Sequence, residues 1–233
     1  VDRPHVGTII KPKVGLNPAD TAEVAYEAAT GGVDLIKDDE TLTDQKFCPL
    51  GERLPLIMER LDRVKSETGR NVLYAVNIST AGDRIVERAR EAVRMGANML
   101  MIDVIVCGFD AVRAVAEDPG INIPIHVHRT MHAAITRNPE HGIAMRPLCR
   151  LVRMLGGDQL HTGTVSGKME HDTRELIGDN KALTSPWHDI RPVFPVASGG
   201  LHPGGVEAEI RTLGRDIILQ AGGGVHGHPD GTR

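Results

Sequence analysis

The feature that most constrains this chain is an alternation. Eight short apolar or β-branched runs lie at 7–10, 33–36, 72–77, 99–103, 123–127, 159–161, 193–197 and 216–220, separated by longer stretches. Runs this short and this apolar suit strands buried on both faces, the environment of a parallel sheet. Segments 19–30, 54–68, 83–95 and 145–155 carry helix signals between them. Asn17-Pro18 supplies a cap and a first-turn proline ahead of the first. In the second, Leu54, Ile57, Leu61 and Val64 recur at helical spacing, and Pro55 predicts a start close to Leu54 because proline is tolerated in a first turn. Gly31-Gly32, Gly69, Gly96, Gly156-Gly157 and Gly214 stand where helices should turn back into strands. The count predicts an α/β fold, a (β/α)8 TIM barrel over residues 1–233 with its last helix truncated. An open doubly wound sheet shares the alternation and is the alternative. Between 170 and 192 the helical pattern is poor, and Thr184-Ser185-Pro186 reads as loop.

Composition narrows the function. A 40% hydrophobic, 25% charged chain can bury a sizeable core. The net charge of -4 and the scarcity of aromatics (Phe 3, Tyr 2, Trp 1) argue against nucleic acid as a partner. No apolar run approaches the roughly 20 residues of a membrane span. Cys48, Cys107 and Cys149 are scattered and odd in number, the usage of a reducing, cytoplasmic setting, and are assigned to packing with the methionines. A start at Val1 rather than Met, with no leader, suggests a piece of a longer protein.

In a barrel of this kind the active site lies at the carboxyl ends of the strands, so polar residues should gather just after each apolar run. They do: Lys11-Pro12-Lys13, then Lys37-Asp38-Asp39-Glu40, Asn77, Asp103, His126 to Arg129 with His132, His161-Thr162-Gly163, Ser198-Gly199-Gly200, and Gly222-Gly223-Gly224. Alone, Lys37 to Glu40 is a solvated turn. Fed by a buried strand, its oxygens suit Mg²⁺, and the lysine fits only if its amine becomes an anion. His126 and His128 share one strand face; a zinc pair and a structural histidine are both open. The planar fork of Arg129 suits an oxyanion or phosphate. Gly163 to Lys168 lacks the spacing of a phosphate loop and reads as a mobile lid with a cation at its tip, or as a plain surface turn. The paired glycines at 199–200 and 222–223 can offer bare amides to an anion, or be tight turns only. Anion sites on both sides of the mouth imply a substrate with two phosphates.

Taken in order, TIIKPKVGL, GGVDLIKDDE, HVHRTMH, GGDQLHTGTVSGKME, ASGGLHPG and LQAGGG resemble the large subunit of ribulose-1,5-bisphosphate carboxylase/oxygenase (RuBisCO), over nearly the whole chain. Leu201 to Gly204 and Gly227 to Gly231 are most similar to the archaeal, form III branch. The resemblance implies that Lys37 is carbamylated by CO2 and that the carbamate, Asp39 and Glu40 bind Mg²⁺. It further implies a substrate, ribulose 1,5-bisphosphate, with CO2 or O2 as co-substrate, and a homodimer or larger homo-oligomer. Lys11, with Lys13 beside it, would be the acid near the C2 oxygen. His128 would relay protons at the C3 hydroxyl, and Lys168 would stabilise the new carboxylate. Arg129 and His161 would hold one phosphate; Gly199, Gly200, Gly222 and Gly223 would hold the other, with Ser198 at the sugar hydroxyls.

Departures from the family pattern matter as well. Its small N-terminal domain, which completes the active site from a neighbouring subunit, is absent from this sequence, so the fragment alone is expected to be inactive or nearly so. Segment 170–192 is shorter than usual, and Val225-His226 replaces the commoner Thr-Leu. Two other functions compete: a RuBisCO-like protein enolising or isomerising a related sugar phosphate, and a non-catalytic barrel fragment.

Overall fold

A computed structural model of the chain describes residues 1–167 and 172–232. Eight parallel strands close on themselves, each paired with its sequence neighbour and the last with the first. In chain order the elements are β1 (His5–Ile9), α1 (Pro18–Gly31), β2 (Leu35–Lys37), α2 (Leu50–Thr68), β3 (Leu73–Asn77), α3 (Ile85–Arg94), β4 (Met99–Asp103), α4 (Val104–Cys107), α5 (Phe109–Ala116), β5 (Ile125–His128), α6 (Ala133–Thr136), α7 (Met145–Met154), β6 (Gln159–His161), α8 (Thr173–Thr184), β7 (Phe194–Ser198), α9 (Val206–Leu213), β8 (Ile218–Ala221) and α10 (Gly223–His226). Closure of the sheet removes the doubly wound alternative. After β8 the chain forms the four-residue α10.

Two apolar layers result from strands that bury both faces. Outward residues such as Ile36, Tyr74, Val76, Leu100, Ile102, Val127 and Leu160 pack under the helices. Inward residues Leu35, Ala75, Met99, Met101, Val196 and Ile218 fill the lower barrel. Gly7 is required there: a Cβ at this position would collide with the side chain of Gln220, its partner on the adjacent β8, which donates to the Thr8 carbonyl at 2.6 Å. The upper lumen is left to polar side chains, and this is where the site forms.

The helix boundaries follow their signals with two exceptions. Asn17 caps α1, accepting from the Asp20 amide at 2.9 Å, and Gly32, Gly69, Gly96 and Gly156 take the left-handed backbone expected of helix ends. The second helix begins earlier than its proline predicted. It starts at Leu50 and carries Pro55 inside, because Leu50 and Arg53 are buried along with Leu54 and Ile57 while Pro55 faces out. Burial of the first turn outweighs a proline cost of about 3 kcal/mol. The poor pattern at 170–192 hides a helix, α8. Its buried face is Leu176, Asp179, Asn180 and Leu183, so two of four inward positions are polar and no apolar period shows. Asp172 caps it, accepting from the Arg174 amide at 2.7 Å, and Ser185 onward is loop, as predicted.

Candidate active site

The predicted polar residues converge at the carboxyl end of the barrel. Lys37 ends β2 and is wholly buried. Its Nζ donates to the Asp38 carbonyl at 2.9 Å and to Glu40 Oε2 at 3.2 Å. Burial lowers the affinity of the amine for its proton; Glu40, Asp39 and Asp103 oppose that only in part. Lys11, just past β1, donates to Asp39 Oδ2 at 2.7 Å. Burial works against Asp39 and Glu40 ionising, but Lys11 and Thr41 around the first and Lys37 around the second hold both below the usual carboxylate range. Asn77, at the end of β3, steadies the turn by donating to the carbonyls of Asp39 and Glu40 at 3.3 and 3.0 Å.

The turn divides its acids. Asp38 points outward, accepting from buried Arg53 at 2.9 Å, from the Asn77 amide at 2.8 Å and from the Tyr74 hydroxyl. It is a structural anchor of β2 to α2 and β3. Strand period separates it from Asp39 but not from Glu40, which the turn after β2 brings back to Lys37.

Across the mouth, His128 Nδ1 accepts from the Thr130 amide at 3.1 Å, which leaves Nε2 to carry the proton, 3.7 Å from Glu40 Oε2. Asp103 Oδ1, buried and lacking any hydrogen bond, lies 3.2 Å from Nδ1 and favours a protonated ring, but burial outweighs it and holds His128 below the ordinary imidazole range. His126 points into the lumen one layer lower. Its nitrogens meet Gln159 Oε1 at 2.6 Å and His161 Nε2 at 2.7 Å, so neither is open to a metal and the zinc alternative falls away. His161 Nδ1 meets Ser198 Oγ at 2.6 Å. Arg129 is partly buried within electrostatic reach of Asp179 and Cys149. Lys13 is exposed on the loop after β1.

Gly199 and Gly200 both adopt positive φ, 116° and 81°, at the end of β7. A Cβ on Gly222 would approach Lys11 Cε at 3.5 Å, which places the β8 end beside the β1 lysine. Segment 163–167, read from sequence as the start of a free lid, is anchored. Wholly buried Glu209 on α9 accepts from the amides of Val165 and Ser166, each at 2.9 Å, and Gly167 is pressed against Thr164 and Gly199. Lys168 lies outside the described residues. Glu209 and Gln159 were not legible as functional: the first looks like any surface helix acid, the second like a strand polar residue.

A cavity of about 610 Å³ opens at the opposite, amino end of the barrel, over Leu35, Leu73, Met99 and Ile218. Its acids are already engaged, Asp34 by Arg3 and the Val6 amide and Asp158 by the Ile125 amide. Convergence of titratable groups, not volume, therefore marks the site.

A family model described as ribulose bisphosphate carboxylase large chain, catalytic domain, matches residues 1–233. The chain belongs to the RuBisCO large-chain family. It is 48% identical to ribulose bisphosphate carboxylase of Methanocaldococcus jannaschii, covering 100% of this chain and 58% of that protein. Octameric Rubisco from Pyrococcus horikoshii superposes with a TM-score of 0.94 at 47% identity, covering 99% of this chain and 55% of that one. A rubisco-like protein from Burkholderia fungorum superposes with a TM-score of 0.92 at 32% identity, over 99% and 57%. The chain thus spans little more than half the length of the RuBisCO proteins it matches, and the archaeal relatives agree with the form III motifs. No helix among the described residues is long and apolar enough to cross a membrane.

Proposed function

We propose that this chain is the catalytic barrel of a ribulose-1,5-bisphosphate carboxylase/oxygenase, adding CO2 or O2 to enolised ribulose bisphosphate and yielding two 3-phosphoglycerates in the carboxylation. The observation that carries the reading is Lys37: a wholly buried amine, its affinity for its proton lowered by burial, set among acids at the barrel mouth. A neutral amine is the form that adds to CO2, and the resulting carbamate turns a misplaced cation into an oxygen anion.

The donor set then fits Mg²⁺, which prefers hard, charged oxygens and keeps room for water and substrate. Asp39, Glu40 and the Lys37 carbamate would hold it; among the described residues no three His, Cys, Asp or Glu side chains form a metal cluster without that carbamate. When bound, the ion supplies Lewis-acid polarisation of the ketose oxygens. Lys37, once carbamylated, would accept the C3 proton. Lys11, released from Asp39, stands at the C2 oxygen. His128 relays the C3 hydroxyl proton, with Asp103 stabilising its protonated ring. Arg129 takes one phosphate with His161 beside it; the amides of Gly199, Gly200, Gly222 and Gly223 take the other. Ser198 meets a sugar hydroxyl, Lys13 adds charge beside Lys11, and Lys168 meets the new carboxylate.

The full catalytic unit on this reading is a cytoplasmic homodimer or larger homo-oligomer whose N-terminal domain lies outside this sequence. Ribulose bisphosphate-dependent fixation of ¹⁴C-bicarbonate by the full-length polypeptide tests it, with the isolated chain expected to show almost none. Enolisation without fixation would instead favour a rubisco-like isomerase, a reading supported by the rubisco-like structural neighbours.

A further inference from the structure

A line of hydrogen bonds runs up the barrel lumen towards the mouth. Gln159 and His126 are cross-strand partners in the β5–β6 register and face the same lumen. From Gln159 Oε1 the line passes to His126 Nδ1 at 2.6 Å, from His126 Nε2 to His161 Nε2 at 2.7 Å, and from His161 Nδ1 to Ser198 Oγ at 2.6 Å. Ser198 lies at the end of β7, immediately before the left-handed glycines.

Such a line can point in only two directions. Both rings are wholly enclosed, and burial holds His126 down to about 3 and His161 well below the ordinary imidazole range, so each is neutral and carries one N–H. Two Nε2 atoms at 2.7 Å therefore need one donor and one acceptor. The choice is made at the buried end. A carbonyl oxygen accepts only, so Gln159 Oε1 requires the proton of His126 on Nδ1. His126 Nε2 then accepts, His161 carries its proton on Nε2, and His161 Nδ1 accepts from Ser198.

Building on the carboxylase reading, we propose that Gln159 is a positioning residue: it fixes the direction of this line so that Ser198 turns its proton inward and offers oxygen lone pairs to a hydroxyl of the substrate. The reverse direction would free the Ser198 proton for an oxyanion and would favour a different ligand group. His161 has no ring nitrogen left for a phosphate, so it acts through Ser198, and the arginine at 129 carries the anion.

Long-range ¹H–¹⁵N correlation spectra of the histidines in this chain at neutral pH test the proposal. The wild type should show His126 protonated on Nδ1 and His161 on Nε2. Gln159→Met, which keeps the shape and removes the acceptor, should mix or reverse both tautomers. In the full-length enzyme the same change should raise KM for ribulose bisphosphate about tenfold, the worth of one hydrogen bond, with a smaller effect on kcat, and should add nothing to Ser198→Ala. Wild-type His126 protonated on Nε2 would overturn the proposal, as would Gln159→Met spectra matching wild type; should that variant not fold, the wild-type spectrum alone decides. The spectra need no substrate, so an absence of ribulose bisphosphate turnover would overturn the carboxylase reading while the tautomers still decide this one.

Discussion

Asp38 and Asp39 are neighbours in the chain and face opposite sides of the barrel wall. Asp38 is clamped by Arg53, Tyr74 and the Asn77 amide beneath the helices, whereas Asp39 meets Lys11 at the mouth. Period two along the strand puts this division into the sequence, and the two acids should therefore fail differently. Asp38→Asn leaves Arg53 buried beside a neutral partner and should cost on the order of 3–5 kcal/mol in denaturant unfolding. Asp39→Asn should change stability far less and abolish Mg²⁺-dependent turnover in the full-length enzyme. Equal losses of stability would contradict the assignment.

Acid should unfold this barrel through its histidines. His126 is held at about 3 against an ordinary 6.5. The unfolded chain binds that proton first, so the contribution to stability is complete above pH 6.5 and is lost as pH falls towards 3. For a fully buried ring, a shift of this size is on the order of 4–5 kcal/mol. Thermal midpoints measured from about pH 7 down to about pH 4 should fall steeply, and less so in His126→Gln; parallel curves for the two proteins would rule the histidine out.

Asp179 has the opposite sign. Burial raises its carboxyl to about 6, with Arg129 and Arg146 opposing only in part. Its contribution is present below about pH 4 and is lost as pH rises through about 6, so at neutral pH the ionised acid is a burden. Asp179→Asn should raise the thermal midpoint at about pH 7.5 and leave it nearly unchanged at about pH 4. A lower midpoint at the higher pH would show that its pairing with Arg129 outweighs the cost of burial.

Segment 163–167 depends on one carboxylate. Glu209→Gln retains shape but cannot accept from both backbone amides and the Ser166 hydroxyl as the carboxylate does. A loss of about 1–3 kcal/mol is expected, together with faster amide exchange confined to Val165 and Ser166. Unaltered exchange there would remove Glu209 from the account.

Much of the fold and of the mouth was legible in the sequence. Eight apolar runs announced the closed sheet, and the polar residue ending each run announced the mouth, because strand direction in such barrels fixes which end carries chemistry. What escaped did so for physical reasons. The α8 helix buries Asp179 and Asn180, which erases its apolar period. Pro55 sits outward in α2, where tertiary burial overrides the local rule. Gln159 and Glu209 gain their meaning only from partners 33 and 43–44 residues away in the chain, and local spacing does not reveal such pairings.

Everything functional rests on the buried amine at 37 taking up CO2. The direct measurement is ¹³C NMR of the chain, with ¹⁵N-labelled lysine, under ¹³CO2 and Mg²⁺. A carbamate carbon coupled to a lysine nitrogen, strengthened by Mg²⁺ and missing from Lys37→Ala, is the expected result. No such resonance at saturating CO2 and Mg²⁺, or one that survives in Lys37→Ala, would contradict the account.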